Sequence, residues 1–432
     1  MGFIRQNLLH LSNIPEDLDS VITIDDKAEV NPAEVSLNDT DVEAIWNQVV
    51  ELYKTGTHPA ISIHLRRHGK TVLSRSIGHS QGNGPHDMPS GEKILVTPET
   101  PFCLFSTSKG ITALLIHMLA EDGLINIMDP VAFYAPEFAQ NGKKNITIHQ
   151  ILAHRGGIPG LPTDVPLDTF WDEDKVWQLL CEAKPIVVDG SKLAYHAITG
   201  GFVLDQVVKK VTGANMNAYI DRKIRQPMGM KYFTYGIDQE HFHDLTVNYA
   251  TGPRPRLLLK KFVKRALGTT IEELESMCND PRFQEVCIPA GNLIGTAAEV
   301  SAFFQMMMDG GVWQGKRICE ESTIARCIHE FGSRTLDRTL LVPMRYSAGL
   351  MLGDKPFGIW GPDTKHAFGH LGLINKFSWA DPSRQLSASI LTSGIPLLAP
   401  HIPALTRLLC NISNGIPKVD KEVQNFKLKA VS

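Results

Sequence analysis

Phe105-Ser-Thr-Ser-Lys-Gly110 runs straight into ITALLIHMLAEDG (111–123), and the reading of its serine and lysine decides the fold. Ser106 stands three positions before Lys109. In the first turn of a helix, positions i and i+3 share a face, so the lysine amine can point at the serine hydroxyl. Free N–H groups and positive potential at the helix start would favour a developing oxyanion at the serine. Ile111, Leu114, Leu115, Met118 and Leu119 predict a strongly apolar helix over 107–121, ended by Asp122-Gly123. The bland alternative makes Ser106 a plain N-cap and Lys109 an exposed side chain. Spacing alone does not decide, because Ser90 and Lys93 repeat it and about one chance match is anticipated in a chain of this composition. Context does: Ser106 opens a buried helix, whereas Ser90 lies in a Gly- and Pro-rich loop.

A second serine competes. Gly78-His-Ser-Gln-Gly82 has the Gly-x-Ser-x-Gly form of a nucleophile elbow. An elbow needs a strand before its serine and a helix directly after it. Ser80 has the strand, but QGNGPHDMPSGE (81–92) follows, with three glycines and two prolines, and no helix starts there. Ile61, Ile63 and Leu65 alternate, His68-Gly69-Lys70 turns, and Val72 to Ile77 runs back, so the strand before Ser80 belongs to an antiparallel hairpin. Ser80 reads as a strand-to-loop exit.

Working outward, residues 1–38 form a weakly patterned arm. Val42, Ile45, Trp46, Val49 and Leu52 predict an amphipathic helix, with Thr40 and Glu43 as a capping box and Gly56 as its C-cap. From 125 to 285 the signals are helical segments between loops. PAGNLIGTAAEVSAFFQMMMDGG (289–311) predicts a late helix with Thr296 as N-cap. Strands return over Tyr346 to Leu352, Phe377 to Ala380 and Leu386 to Leu391. This order predicts an α/β (α+β) fold: an antiparallel sheet flanked by helices, built from 39–124 and 286–432, with an all-helical domain, 125–285, inserted.

Composition narrows the function. The chain has 432 residues, 43% hydrophobic and 21% charged, with a net charge of −3, which provides no general field for nucleic acid. Its sixteen histidines and seven cysteines show no metal-ligand spacing, so neither metal nor cofactor is expected. No apolar run is long enough to cross a bilayer, and the N-terminal residues lack a signal-peptide pattern. The expectation is a cytoplasmic protein with reduced thiols. PRPRLLLKKFVKRAL (253–267) interleaves six basic residues with leucines, as on a membrane-surface or partner-binding helix; packing of its leucines within the inserted domain is the preferred reading.

FSTSKGITALLIHMLAEDGLINIMDPV resembles the nucleophile helix of serine beta-lactamases and penicillin-binding proteins, above all class C enzymes and family VIII carboxylesterases. ITIHQILAHRGGIP is similar to the segment that follows that helix, KLAYHAITGGFVLDQVV to the tyrosine motif, and FGHLGL to the third motif. With the late helix these are five segments in family order over roughly residues 40–400. Lys54-Thr55-Gly56 spells the lactamase third motif but precedes the serine, so it is a decoy.

The resemblance implies Ser106 as the acylated nucleophile and Lys109 as a cation that lowers the pKa of a neighbouring phenol. Tyr195 would be that phenol, the general base toward Ser106 and then toward water. The backbone N–H groups of Ser106 and Leu373 would form the oxyanion hole, with Gly372, His370 and His196 beside the substrate. Two departures redirect the substrate. Tyr195-His196-Ala197 lacks the asparagine of Tyr-x-Asn that holds a β-lactam's side-chain amide, and His370 replaces the lysine that faces its carboxylate. The expectation is therefore a carboxylesterase acting on a small-molecule ester. A beta-lactamase or D-alanyl peptidase, an acyltransferase, and a non-catalytic binding homologue remain alternatives, and the oligomeric state is open.

Overall fold

The computed structural model describes residues 9–162, 165–254, 269–373, 375–397 and 400–419. Most of the basic stretch 253–267 lies outside the described residues. The principal strands are β1 (Ile22–Ile24), β2 (Ala60–Arg67), β3 (Lys70–Gln81), β4 (Ile94–Leu95), β5 (Phe102–Cys103), β6 (Thr234–Tyr235), β7 (Leu293–Gly295), β8 (Met351–Leu352), β9 (Phe368–Gly372), β10 (Lys376–Asp381) and β11 (Leu386–Thr392). The helices that frame them are α1 (Asp39–Lys54), α2 (Ser108–Glu121), α3 (Thr199–Thr212), α4 (Ile271–Cys278), α5 (Ala297–Met308) and α6 (His401–Gly415).

The main sheet is antiparallel, in the order β1-β3-β2-β11-β10-β9-β8, with β4 added to β3. Chain-distant hairpins therefore meet at its centre, where β2 pairs with β11 over Ile61↔Thr392 to Arg67↔Leu386. The period-2 pattern of β2 explains its two faces. Ile61, Ile63 and Leu65 join Trp379 and Ile390 in a core capped by α1 and α6. The alternate residues Ser62 and His64 are also buried, toward the side held by α5. There polar groups satisfy one another: Ser76 donates to Ser62 (3.0 Å), Ser378 pairs with Ser389 (3.1 Å), and Ser387 donates to Gln305 of α5 (3.2 Å).

Several expectations change in detail. Asn38, not Thr40, precedes α1, and no side-chain cap forms there. Thr296 does cap α5, in a full capping box with Glu299. The N-terminal arm contributes an edge strand, with Ile22 opposite Ile77. The 125–285 segment is not all helical. Its β6 pairs with β7, which also pairs with β5, so a three-stranded sheet ties the segment to the chain just before Ser106. Residues of α2, α3, α4 and α5 share one apolar core, because one face of a helix buries its stripe only against another element.

Candidate active site

The nucleophile candidate sits on a short turn between β5 and α2. Phe105–Thr107 forms a 3-10 turn, and Phe105 takes the left-handed φ of +47°. That conformation costs a non-glycine residue about 1–3 kcal/mol and must be over-determined by its surroundings. Here it is. Leu104 N–H donates to Leu293 O at 2.8 Å, Ser108 Oγ donates to Phe105 O at 2.5 Å, and Leu293 N–H donates to Ser108 Oγ at 3.0 Å. Beneath the Phe105 ring, at 4.8 Å, lies the buried Lys376 amine, which donates to Thr392 O. Sequence reasoning passed over Lys376, since a lysine opening a strand carries no motif.

Lys109 Nζ donates to Ser106 Oγ at 3.0 Å and to Ala290 O at 2.7 Å. Its side chain is buried with no carboxylate partner among the described residues, and burial lowers its pKa to about 7. Tyr195 completes the set. Its hydroxyl reaches Ser106, and its ring face lies 5.0 Å from Lys109 Nζ. Burial drives the phenol well above its ordinary pKa, with Asp337 adding to the rise and the Ser106 hydrogen bond opposing it. Burial thus acts against both the charged amine and the phenolate, the pair that the resemblance implies.

The third-motif residues are placed differently from one another. Gly372 is where β9 crosses the nucleophile turn: a Cβ there would stand 2.2 Å from Leu104 O, so only glycine permits the approach. Thr107 Oγ1 donates to His370 O at 3.3 Å across the same crossing. Leu373, immediately after β9 and left-handed at φ +44°, lines the pocket that contains Ser106. The imidazole of His370 is fully buried, donates from Nδ1 to Leu371 O at 2.8 Å, and packs 6.3 Å from the Tyr195 ring. Burial first, then Lys109, lowers its pKa to about 3. It lies outside the residues that line the Ser106 pocket.

His196 is placed similarly. Its ring is buried, accepts Ile158 N–H on Nε2 at 3.2 Å, and borders a small cavity behind Lys109 and Thr112. It does not line the Ser106 pocket; its neighbours Ala197 and Ile198 do. Ala197 and Ile198 thus face the Ser106 pocket, while the His196 ring packs behind it.

That pocket, of about 70 Å3, is lined by Phe105, Ser106, Phe170, Trp171, Ala197, Ile198, Leu274, Met277, Phe283, Ile288, Ala290, Gly291 and Leu373. Among the described lining residues the only side-chain polar groups are the Ser106 hydroxyl and the Trp171 indole N–H, which donates to Asp168 Oδ1 at 3.3 Å. A larger cleft of about 640 Å3 opens at the opposite end of β9, around Ala367 and Phe368, and its lining contains no serine, threonine or cysteine. Ser80 lies apart from all of this: it is buried in β3, and its hydroxyl donates to Ile94 O at 3.2 Å. The glycine before it is a packing glycine, since a Cβ at Gly78 would fall 2.1 Å from Pro59 O.

Fold and site together define a serine hydrolase of the beta-lactamase-like superfamily. The profile of the family described as Beta-lactamase matches residues 46–408, and the chain belongs to that family. Over 299 residues it is 26% identical to "Esterase/beta-lactamase LipL" of Mycobacterium tuberculosis, covering 67% of this chain and 68% of the relative. It is 27% identical over 191 residues to a "Teichoic acid D-alanine hydrolase" of Staphylococcus aureus, covering 44% of each chain. Among solved structures it resembles a penicillin-binding protein homologue from Caulobacter crescentus (TM-score 0.72, 23% identity, 87% of this chain and 97% of the other). It also resembles a family VIII carboxylesterase (TM-score 0.71, 24% identity, 85% and 96%). At these identities the structural likeness establishes the fold alone.

Proposed function

We propose that the protein is a carboxylesterase that cleaves short-chain acyl esters through an acyl-enzyme on Ser106. The observation that carries this reading is the Ser106 pocket, whose lining, among the described residues, offers no cation and no side-chain amide. A β-lactam or D-alanyl peptide would bury a carboxylate and an amide there unpaired, at about 1–3 kcal/mol each. A simple ester has neither group. The relative named as an esterase and the solved carboxylesterase support the same direction.

The free amine of Lys109 takes the Ser106 proton as Oγ attacks the ester carbonyl. The oxyanion is held by the N–H groups of Ser106 and Leu373. The tetrahedral adduct collapses by breaking its bond to the alcohol oxygen. Tyr195, kept protonated by burial, passes the proton from the Lys109 ammonium to that leaving oxygen. Water then attacks the acyl-enzyme, giving its proton back along the same route, and releases the acid and free Ser106. The roles expected of lysine and tyrosine are thereby exchanged. The decisive measurement compares p-nitrophenyl butyrate with nitrocefin on wild type and Ser106→Ala. Butyrate is turned over readily, nitrocefin at least about a thousandfold less efficiently, and Ser106→Ala neither. Comparable kcat/KM for the two substrates would overturn the esterase reading in favour of a lactamase.

A further inference from the structure

The Tyr195 segment is a loop between two helices, Glu173–Glu182 and α3, so nothing in its own secondary structure holds the tyrosine still. It is held from two sides. His154, left-handed at φ +56°, accepts Ala194 N–H on its carbonyl at 3.0 Å and His196 N–H on Nδ1 at 3.3 Å. On the other side stands Asp337, whose side chain is fully buried in a turn between Leu336 and Leu340. Its Oδ1 accepts three N–H bonds, from Tyr195 at 3.1 Å, Thr339 at 2.8 Å and Leu340 at 3.0 Å. Its Oδ2 accepts the Tyr346 hydroxyl at 3.4 Å, and Arg338 N–H donates to Leu193 O at 3.0 Å beside it.

A buried carboxylate is costly unless donors surround it, and this one is surrounded by backbone N–H groups with no cation among the contacts. A carboxylate is not required to close the turn itself, since an amide oxygen would accept the same bonds. Two bonds reach outside the turn, one from the Tyr346 hydroxyl and one from the backbone of the tyrosine of the catalytic set. We propose that Asp337 is a positioning residue for Tyr195, fixing that residue's backbone so that its hydroxyl meets Ser106. The inference rests on the proposed proton-carrying role of Tyr195.

The test is a double-mutant cycle on p-nitrophenyl butyrate, with melting temperature followed in parallel. Asp337→Ala should lower kcat at least about tenfold with KM within about threefold, because the pocket is untouched. Asp337→Asn keeps the Oδ1 acceptor and should recover to within about threefold of wild type. In a Tyr195→Phe background, where the hydroxyl to be positioned is gone, Asp337→Ala should cost less than about twofold more. An equal loss in both backgrounds, or Asp337→Asn falling as far as Asp337→Ala, overturns the inference. Wild-type kcat in Tyr195→Phe would instead overturn the role proposed for the tyrosine. If Asp337→Ala does not fold, Asp337→Glu, which displaces the acceptor by one methylene, takes its place in the cycle with the same expected non-additivity.

Discussion

Lys109 owes its chemistry to where it is buried. An amine held at about 7 by desolvation is half free at neutral pH, whereas an exposed lysine is almost wholly protonated there. If Lys109 takes the Ser106 proton, only the unprotonated form is active. The sign follows: kcat/KM should fall about tenfold per unit as pH drops below about 7 and level off above it. The neighbouring histidines cannot produce that limb. His370 and His196 are lowered to about 3 and about 4, and His154 is held well below its usual value, all by burial first. A pH profile of kcat/KM checks this, and a limb near the ordinary lysine value would mean that a free Lys109 amine is not the base. The Ser106–Lys109 spacing was legible in the sequence. The direction in which burial moves the lysine and tyrosine was not, because a pKa depends on the whole shell around a group.

At the scale of elements, the site is the crossing of one turn and one strand. The Phe105–Thr107 turn and the end of β9 approach closely enough that Gly372 has no room for a side chain. Gly372→Ala should therefore push β9 off the turn and displace the Leu373 N–H. The loss of one oxyanion donor corresponds to about a hundredfold or more in kcat. Steady-state kinetics beside the circular dichroism spectrum would check this, with activity falling while the secondary structure persists. The third motif was recognisable as His370-Leu-Gly372 by its place late in the chain. That its histidine faces away while its glycine matters depends on the register Gly372↔Lys376, which no local pattern specifies.

At the scale of the whole molecule, the pocket is assembled from segments far apart in the chain. Trp171 and Phe283 meet edge to face at 6.1 Å, Arg282 lies 5.6 Å from the Trp171 ring, and α4 supplies Leu274 and Met277. These walls bound a pocket of about 70 Å3, and under the proposed function they limit the acyl chain. Trp171→Ala should open it. With about 0.8 kcal/mol available per buried methylene, the octanoate-to-butyrate ratio of kcat/KM should rise at least about tenfold. An unchanged ratio across the p-nitrophenyl ester series would remove Trp171 from the size limit. Sequence by itself determined the hairpin of β2 and β3, the helix after Ser106, the capping box of α5 and the order of the family segments, because these rest on periodicities and contacts a few residues long. It also set aside Ser80, since glycines and prolines after a strand forbid a helix locally. Only the tertiary structure decided that His196 and His370 lie outside the Ser106 pocket, that Asp337 accepts the Tyr195 N–H, and that Phe170, Trp171 and Phe283 line that pocket. Those facts are contacts between residues tens to hundreds of positions apart, brought together by burial of apolar surface that any of several packings could have satisfied.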